Sequence, residues 1–117
     1  MLRSASTTGL PVSHSVAIGD GRIVLPHATC ELYLAGAGAA ALVERDGQVY
    51  LLPLSGPVAG GMLLKQRNRG GDRVLVATDF LEARGLGRFS AERAFDVRWV
   101  AEAGALLIDG LGATTPG

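Results

Sequence analysis

His27 and Cys30 are separated by two residues in the stretch "LPHATCELYL", a spacing that suits a pair of metal ligands. A closed zinc site needs about four such ligands. The chain supplies only one other imidazole, His14, and no second cysteine, so no metal is expected and Cys30 reads as a buried thiol beside a surface His27. Ser13, His14 and Ser15 stand together, but the scattered acids give no nucleophile–base–acid arrangement to go with them. "GAGAA" at 36–40 and "GPVAGG" at 56–61 are rich in glycine, yet neither carries the Lys-Ser/Thr of a phosphate-binding loop. No catalytic residue and no cofactor is therefore assigned.

The remaining chemistry is cationic. Lys65, Arg67, Arg69 and Arg73 fall within nine positions, interrupted by a single acid, Asp72. On a strand, side chains alternate, so Lys65, Arg67 and Arg69 would leave one face at steps of about 7 Å, a spacing suited to successive phosphates. The rest of the chain does not reinforce this patch. Eleven basic residues balance eleven acidic ones, so no global field points to a nucleic acid or a membrane.

The elements that must position these residues are short. Seventeen glycines, few aromatics and 48% hydrophobic residues, with a mean hydropathy of +0.29, favour brief strands and tight turns around a real core. The single cysteine allows no internal disulfide, no apolar run is long enough for a membrane span, and "MLRSASTTGLPVSHS" lacks the apolar centre of a signal peptide. A cytoplasmic protein with no membrane contact is expected.

"RIVLP" at 22–26 and "RVLVA" at 73–77 each follow a Gly/Asp turn, and the same order of elements surrounds both. In the first set, 10–18 and 22–26 read as strands about "GDG", "HATCELYL" as two helical turns, and "AAALVERDGQVYLLPL" as a hairpin. Asp46-Gly47 is the usual chemistry of a two-residue type I′ turn. In the second set, "GMLLKQRN" and "DRVLVA" are strands, Thr78 is the expected N-cap and Gly85 the C-terminal stop of a helix. "AFDVRWVAEAGALLID" then mirrors the first hairpin, with Phe95, Val97 and Trp99 alternating onto one face. This set is six residues longer between helix and hairpin, at "RFSAER". One domain over 7–111 is expected, built of repeats 7–55 and 60–111 around a linker at 56–59, with loose tails at 1–6 and 112–117.

These segments resemble the AbrB/MazE/SpoVT-type swapped-hairpin module, whose layout is strand, acidic-Gly-Arg turn, "RVVIP"-like strand, short helix and hairpin. Two copies in one chain are similar to the arrangement in the MraZ family. The resemblance implies a mainly β, pseudo-twofold swapped-hairpin (cradle-loop) barrel of two ββαββ repeats with two short helices. It leaves open whether the barrel is of swapped-hairpin, RIFT or double-psi type. It also implies a small DNA-binding transcriptional regulator in which Lys65, Arg67, Arg69, Arg73 and Arg22 contact phosphates, with Arg22 and Arg73 as the turn arginines. Family members also use basic residues in the helical region, where this chain has only Arg84. Pro26 keeps the proline that ends the family's second strand, whereas the second copy has Ala77.

The alternative is a protein-interaction or assembly module, antitoxin-like, that keeps the barrel without DNA binding. Val12, Val16, Ile18 and Tyr33 would then form the surface for a protein partner or for a homo-oligomer, since apolar residues in excess of one small core imply a partner.

Overall fold

The computed structural model describes residues 14–55 and 61–111. The repeat bounds at 7–13, the linker and both tails lie outside the described residues. Nine strands run β1 (His14–Gly19), β2 (Arg22–Leu25), β3 (Ala39–Arg45), β4 (Gln48–Leu54), β5 (Met62–Leu63), β6 (Lys65–Gln66), β7 (Arg73–Val76), β8 (Arg93–Val100) and β9 (Ala105–Ile108). Helix α1 (His27–Tyr33) follows β2, and α2 (Thr78–Glu82) follows β7. All strands join one antiparallel sheet in the order β5-β3-β4-β9-β8-β1-β2-β7-β6.

Its two outer strands, β5 and β6, are consecutive in the chain and separated only by Leu64. The run therefore hydrogen-bonds first to β3, with Leu64 N–H reaching the Gly38 carbonyl at 3.0 Å, and then to β7, with Arg67 N–H reaching the Asp72 carbonyl at 2.7 Å. A single stretch of chain thus nearly closes the sheet into a barrel, leaving little unpaired edge. The sequence led us to expect one continuous strand here. The observed run changes partners at buried Leu64, so Lys65 and Gln66 are both exposed and the alternation breaks.

Turn chemistry sets most of the local geometry. Asp20-Gly21 and Asp46-Gly47 have φ of 53°, 73°, 52° and 77°, the left-handed pair that a type I′ turn requires, and they join β1 to β2 and β3 to β4. The Asp46-Gly47 hairpin is the one expected from sequence, paired from Arg45↔Gln48 to Ala39↔Leu54. Strand β8 also alternates as expected. Phe95 and Val97 are buried, Asp96 and Arg98 are exposed, and Trp99 is 37% exposed where the strand reaches the barrel end.

The helix entries differ from each other. Pro26 caps α1 at φ −61°, ψ 152°, whereas α2 is entered through Ala77 at φ −138°, ψ 50°. Ala77 N–H donates to the Gly21 carbonyl at 2.9 Å, a bond that proline cannot make. Thr78, expected as N-cap, is instead the first helical residue and makes no capping bond; its side chain packs over Gly21. The stop at Gly85 is as expected. Gly85 has φ 78°, Leu86 N–H bonds the Leu81 carbonyl at 2.9 Å, and Gly85 N–H bonds that of Glu82 at 3.1 Å, the Schellman pattern.

The core fills the barrel with Val16, Ile18, Ile23, Leu25, Val49, Leu51, Leu75, Leu106 and Ile108, and both helices close onto it through Cys30, Leu34 and Leu81. Val16 and Ile18, expected at a partner surface, are 2% and 0% exposed. These two side chains are spent on this chain's own core. Val12 lies outside the described residues.

Candidate nucleic-acid interface

Each cation singled out from sequence sits differently. Lys65, Arg67 and Arg69 are all exposed, Lys65 on β6 and the two arginines in the loop before β7. Arg22 is exposed at the start of β2. The pairing of β2 with β7 aligns Arg22 with Val76, Val24 with Val74 and Leu25 with Arg73. Because paired residues share a face, Arg22 points away from the core with Val24, Val74 and Val76, whereas Arg73 lies on the core side. The two turn arginines thus leave opposite faces of one sheet. Loop length explains this. Gly19 pairs with Arg22 across two turn residues, but Arg67 pairs with Asp72 across four, so Arg22 corresponds to Asp72 in the ladder and Arg73 is one step out of phase.

Arg73 is half-buried, and its Nη1 donates to the Ala37 carbonyl at 2.8 Å. This ties β7 to the loop after α1, so Arg73, expected as a phosphate contact, holds a bond within the fold. With His27, Cys30, Glu31, Gln66 and Gly71 it lines a cleft of about 270 Å³. The Cys30 Sγ points to the Leu25 carbonyl at 3.6 Å, and burial pushes its thiol pKa up, so the thiolate is disfavoured there. Among the described residues no three His, Cys, Asp or Glu side chains gather as a metal site.

Arg84, the one helical-region cation, is also withdrawn. Its Nη2 pairs with the Glu44 carboxylate, its Nη1 donates to the Phe80 carbonyl at 3.1 Å, and its guanidinium lies 3.9 Å over the Phe80 ring. With its side chain 10% exposed, Arg84 clamps α2 to the β3–β4 hairpin and offers nothing to a phosphate. The distant carboxylate that neutralises it is invisible to a local reading of "FLEARG".

What the fold does bring together is a groove of about 420 Å³ on the outer face of β2 and β7. Val24, Val74 and Val76 form its floor, Arg22 and Arg67 its cationic walls, and Gly19, Asp20 and Glu92 its far end. Among the described residues, no carboxylate oxygen lies within 4 Å of the Arg22, Lys65, Arg67 or Arg69 side-chain nitrogens. All four side chains are exposed, and Arg67 interacts at longer range with the Asp72 carboxylate. Asp20, Glu92 and the apolar floor were not assigned to a site from sequence, and only the strand pairing places them beside Arg22.

The loop that carries Arg67 and Arg69 is shaped by Asp72. Its Oδ2 accepts from Asn68 Nδ2 at 3.1 Å and its Oδ1 accepts from the His27 N–H at 2.9 Å, while its own N–H donates to Asn68 Oδ1 at 3.3 Å. The Asn68 side chain and then the His27 N–H hold the Asp72 carboxyl below the ordinary aspartate pKa. A carboxyl whose folded pKa is depressed contributes stability above its unfolded pKa and loses it as pH falls through the folded value. The protection factors of the His27 and Arg67 amides, taken relative to the intrinsic exchange rate at each pH, should accordingly be high at neutral pH and fall on acidification below the ordinary aspartate range. Asp72→Asn should remove that pH dependence; an unchanged acid profile in the variant would refute the assignment to Asp72.

Tyr33, expected at a partner surface, is half-buried at the barrel end. Its ring stacks on Trp99 at a centroid distance of 5.8 Å and receives the edge of His14 at 5.6 Å. No helix among the described residues is long and apolar enough to cross a membrane. No protein-family model, curated protein or solved structure matches the chain.

Proposed function

We propose that the chain is a small, non-enzymatic nucleic-acid-binding regulator of AbrB/MraZ-like type, built from two diverged copies of one ββαββ unit. The tandem reading is supported by the strand order, which is unchanged when β1 to β4 are exchanged with the β5–β6 run and β7 to β9. Each copy then lends its terminal hairpin to the other, since β1 pairs with β8 and β5 with β3. The observation that carries the binding reading is the outer groove, where Arg22 from one copy and Arg67 from the other line one surface and, among the described residues, neither has a carboxylate within 4 Å. Lys65 pairs with Val74 and so shares its face, Arg69 is exposed in the adjoining loop, and Asp72 sets the loop in which Arg67 and Arg69 sit. Neutral net charge makes the attraction local, so affinity comes from a few phosphate contacts.

Fluorescence-anisotropy titration of a random-sequence duplex at two salt concentrations tests this. Binding should weaken steeply with salt, and Arg22→Ala/Arg67→Ala should flatten the dependence by roughly one unit of log–log slope per lost contact. Arg73→Ala should leave the slope alone while lowering thermal stability, because its guanidinium serves Ala37. A folded wild-type protein that binds no duplex at low salt would sink the proposal.

A second reading, assembly with another protein, is favoured by one observation: Val76 is 50% exposed in the same groove, beside Val24 and Val74. Light scattering of the purified protein distinguishes the two, since an assembly built on that strip would lose mass in a Val76→Asp variant.

A further inference from the structure

Phe89 combines two features that folding alone disfavours. The residue is 95% exposed and its backbone sits at φ 65°, a left-handed conformation that a bulky residue adopts at a cost. Glycine or asparagine would satisfy the same turn without strain or exposed ring. The conformation is nevertheless firmly held. Phe89 N–H donates to Asp20 Oδ1 at 2.9 Å, Asp20 N–H donates to Ser90 Oγ at 2.9 Å, Ser90 N–H bonds the Gly87 carbonyl at 3.2 Å, and Gly21 N–H bonds that of Leu86 at 3.1 Å. The "RFSAER" insertion is thereby fastened to the β1–β2 turn. Strain of this kind persists where the surroundings over-determine it, and it concentrates at binding sites.

The fastening residue is also the link to the cationic groove. Asp20 lines the groove that holds Arg22 and Arg67, so its carboxylate ties the Phe89 backbone to the Asp20 end of that groove. A ligand that satisfies both features carries negative charge along a backbone and flat π-faces beside it. That is the chemistry of a nucleic acid with a base out of its stack.

We propose that Phe89 is a preset stacking residue for a nucleobase whose flanking phosphates lie on Arg22 and Arg67. The inference rests on the nucleic-acid reading given above and names its substrate class: a strand offering an unstacked base, either single-stranded or opened from a duplex by the ring. An aromatic platform of this kind accepts any base, because every base has a π-face. In a duplex the same ring would act as a wedge between base steps.

The test uses oligonucleotides carrying 2-aminopurine, whose fluorescence reports stacking, as a single strand and as the matching duplex. Phe89→Gly removes the ring and suits the left-handed backbone, so its thermal unfolding should match or exceed wild type. Phe89→Trp keeps a stacking surface. We expect Phe89→Gly to abolish the fluorescence change and weaken binding roughly 5- to 150-fold at an unchanged salt slope, with Phe89→Trp retaining both. Arg22→Ala/Arg67→Ala should instead lower the slope. A larger loss with the single strand assigns the platform role, and a larger loss with the duplex the wedge role. Wild-type binding and fluorescence in Phe89→Gly, alongside a lowered slope in the arginine variant, would overturn the stacking role and leave phosphate binding standing. Absence of binding to either oligonucleotide at low salt would overturn both.

Discussion

Leu75→Ala is expected to lower the unfolding free energy by about 3 kcal/mol, equivalent to a fall in Tm of roughly 10–20 °C for a domain of this size. Leu75 is fully buried on β7 and pairs with Ile23 of β2, so its side chain stands where the two strands meet the core. Truncation removes apolar contact from every neighbour and leaves a cavity that an almost closed barrel can collapse only in part. Its sequence neighbour provides the control. Val76 points to the outer groove and is 50% exposed, so Val76→Ala should change stability by no more than about 0.5 kcal/mol. Urea unfolding of the two variants checks the facing of β7 directly. Equal losses would mean that the β2–β7 register is wrong, and with it the outward placement of Arg22.

Gly19→Ala is expected to cost about 2–3 kcal/mol, although it adds one methyl group at the end of a strand. A Cβ at Gly19 would lie 2.6 Å from the Glu92 Cα and 2.8 Å from the Ala91 carbonyl oxygen. Both are backbone atoms, so no side chain can swing aside, and the chain entering β8 must move away from β1. That displacement acts next to the Ile18↔Arg93 pair and at the end of the groove lined by Gly19 and Glu92. Gly38→Ala, where nothing lies within 4 Å of the added carbon, should be close to neutral. Thermal unfolding of both variants separates close approach from a general intolerance of alanine; similar midpoints would contradict the observed contact.

The elements whose cause is local were legible. Asp46-Gly47 needs only its own φ preferences to turn the chain, and Gly85 ends α2 by the same property. Phe95 and Val97 alternate with Asp96 and Arg98, and one face of β8 is buried accordingly. Lys65, Arg67 and Arg69 were expected to be exposed together and are, but for a different reason: the strand ends at Gln66 and a loop, not an alternating face, presents the two arginines.

The rest depended on partners far along the chain. Arg22 and Arg73 look equivalent in sequence, yet a two-residue turn in one hairpin and a four-residue turn in the other shift their ladders by one step. With a side-chain period of two, that step sends one guanidinium outward and the other toward Ala37. Arg84 reads as an available helix cation until Glu44, forty positions away, neutralises it. Val16 and Ile18 read as surplus until the barrel closes around them. By itself, then, the amino-acid order determined the short β elements, their turns, the two helices and a local excess of positive charge, because backbone preference and alternation act within a few residues. Which cations stand exposed beside the outer groove, which are held inside the fold, and the tie from Asp20 at that groove to the Phe89 backbone were decided by tertiary structure. Strand register and barrel closure are long-range pairings, and no short window of sequence contains both sides of the pair.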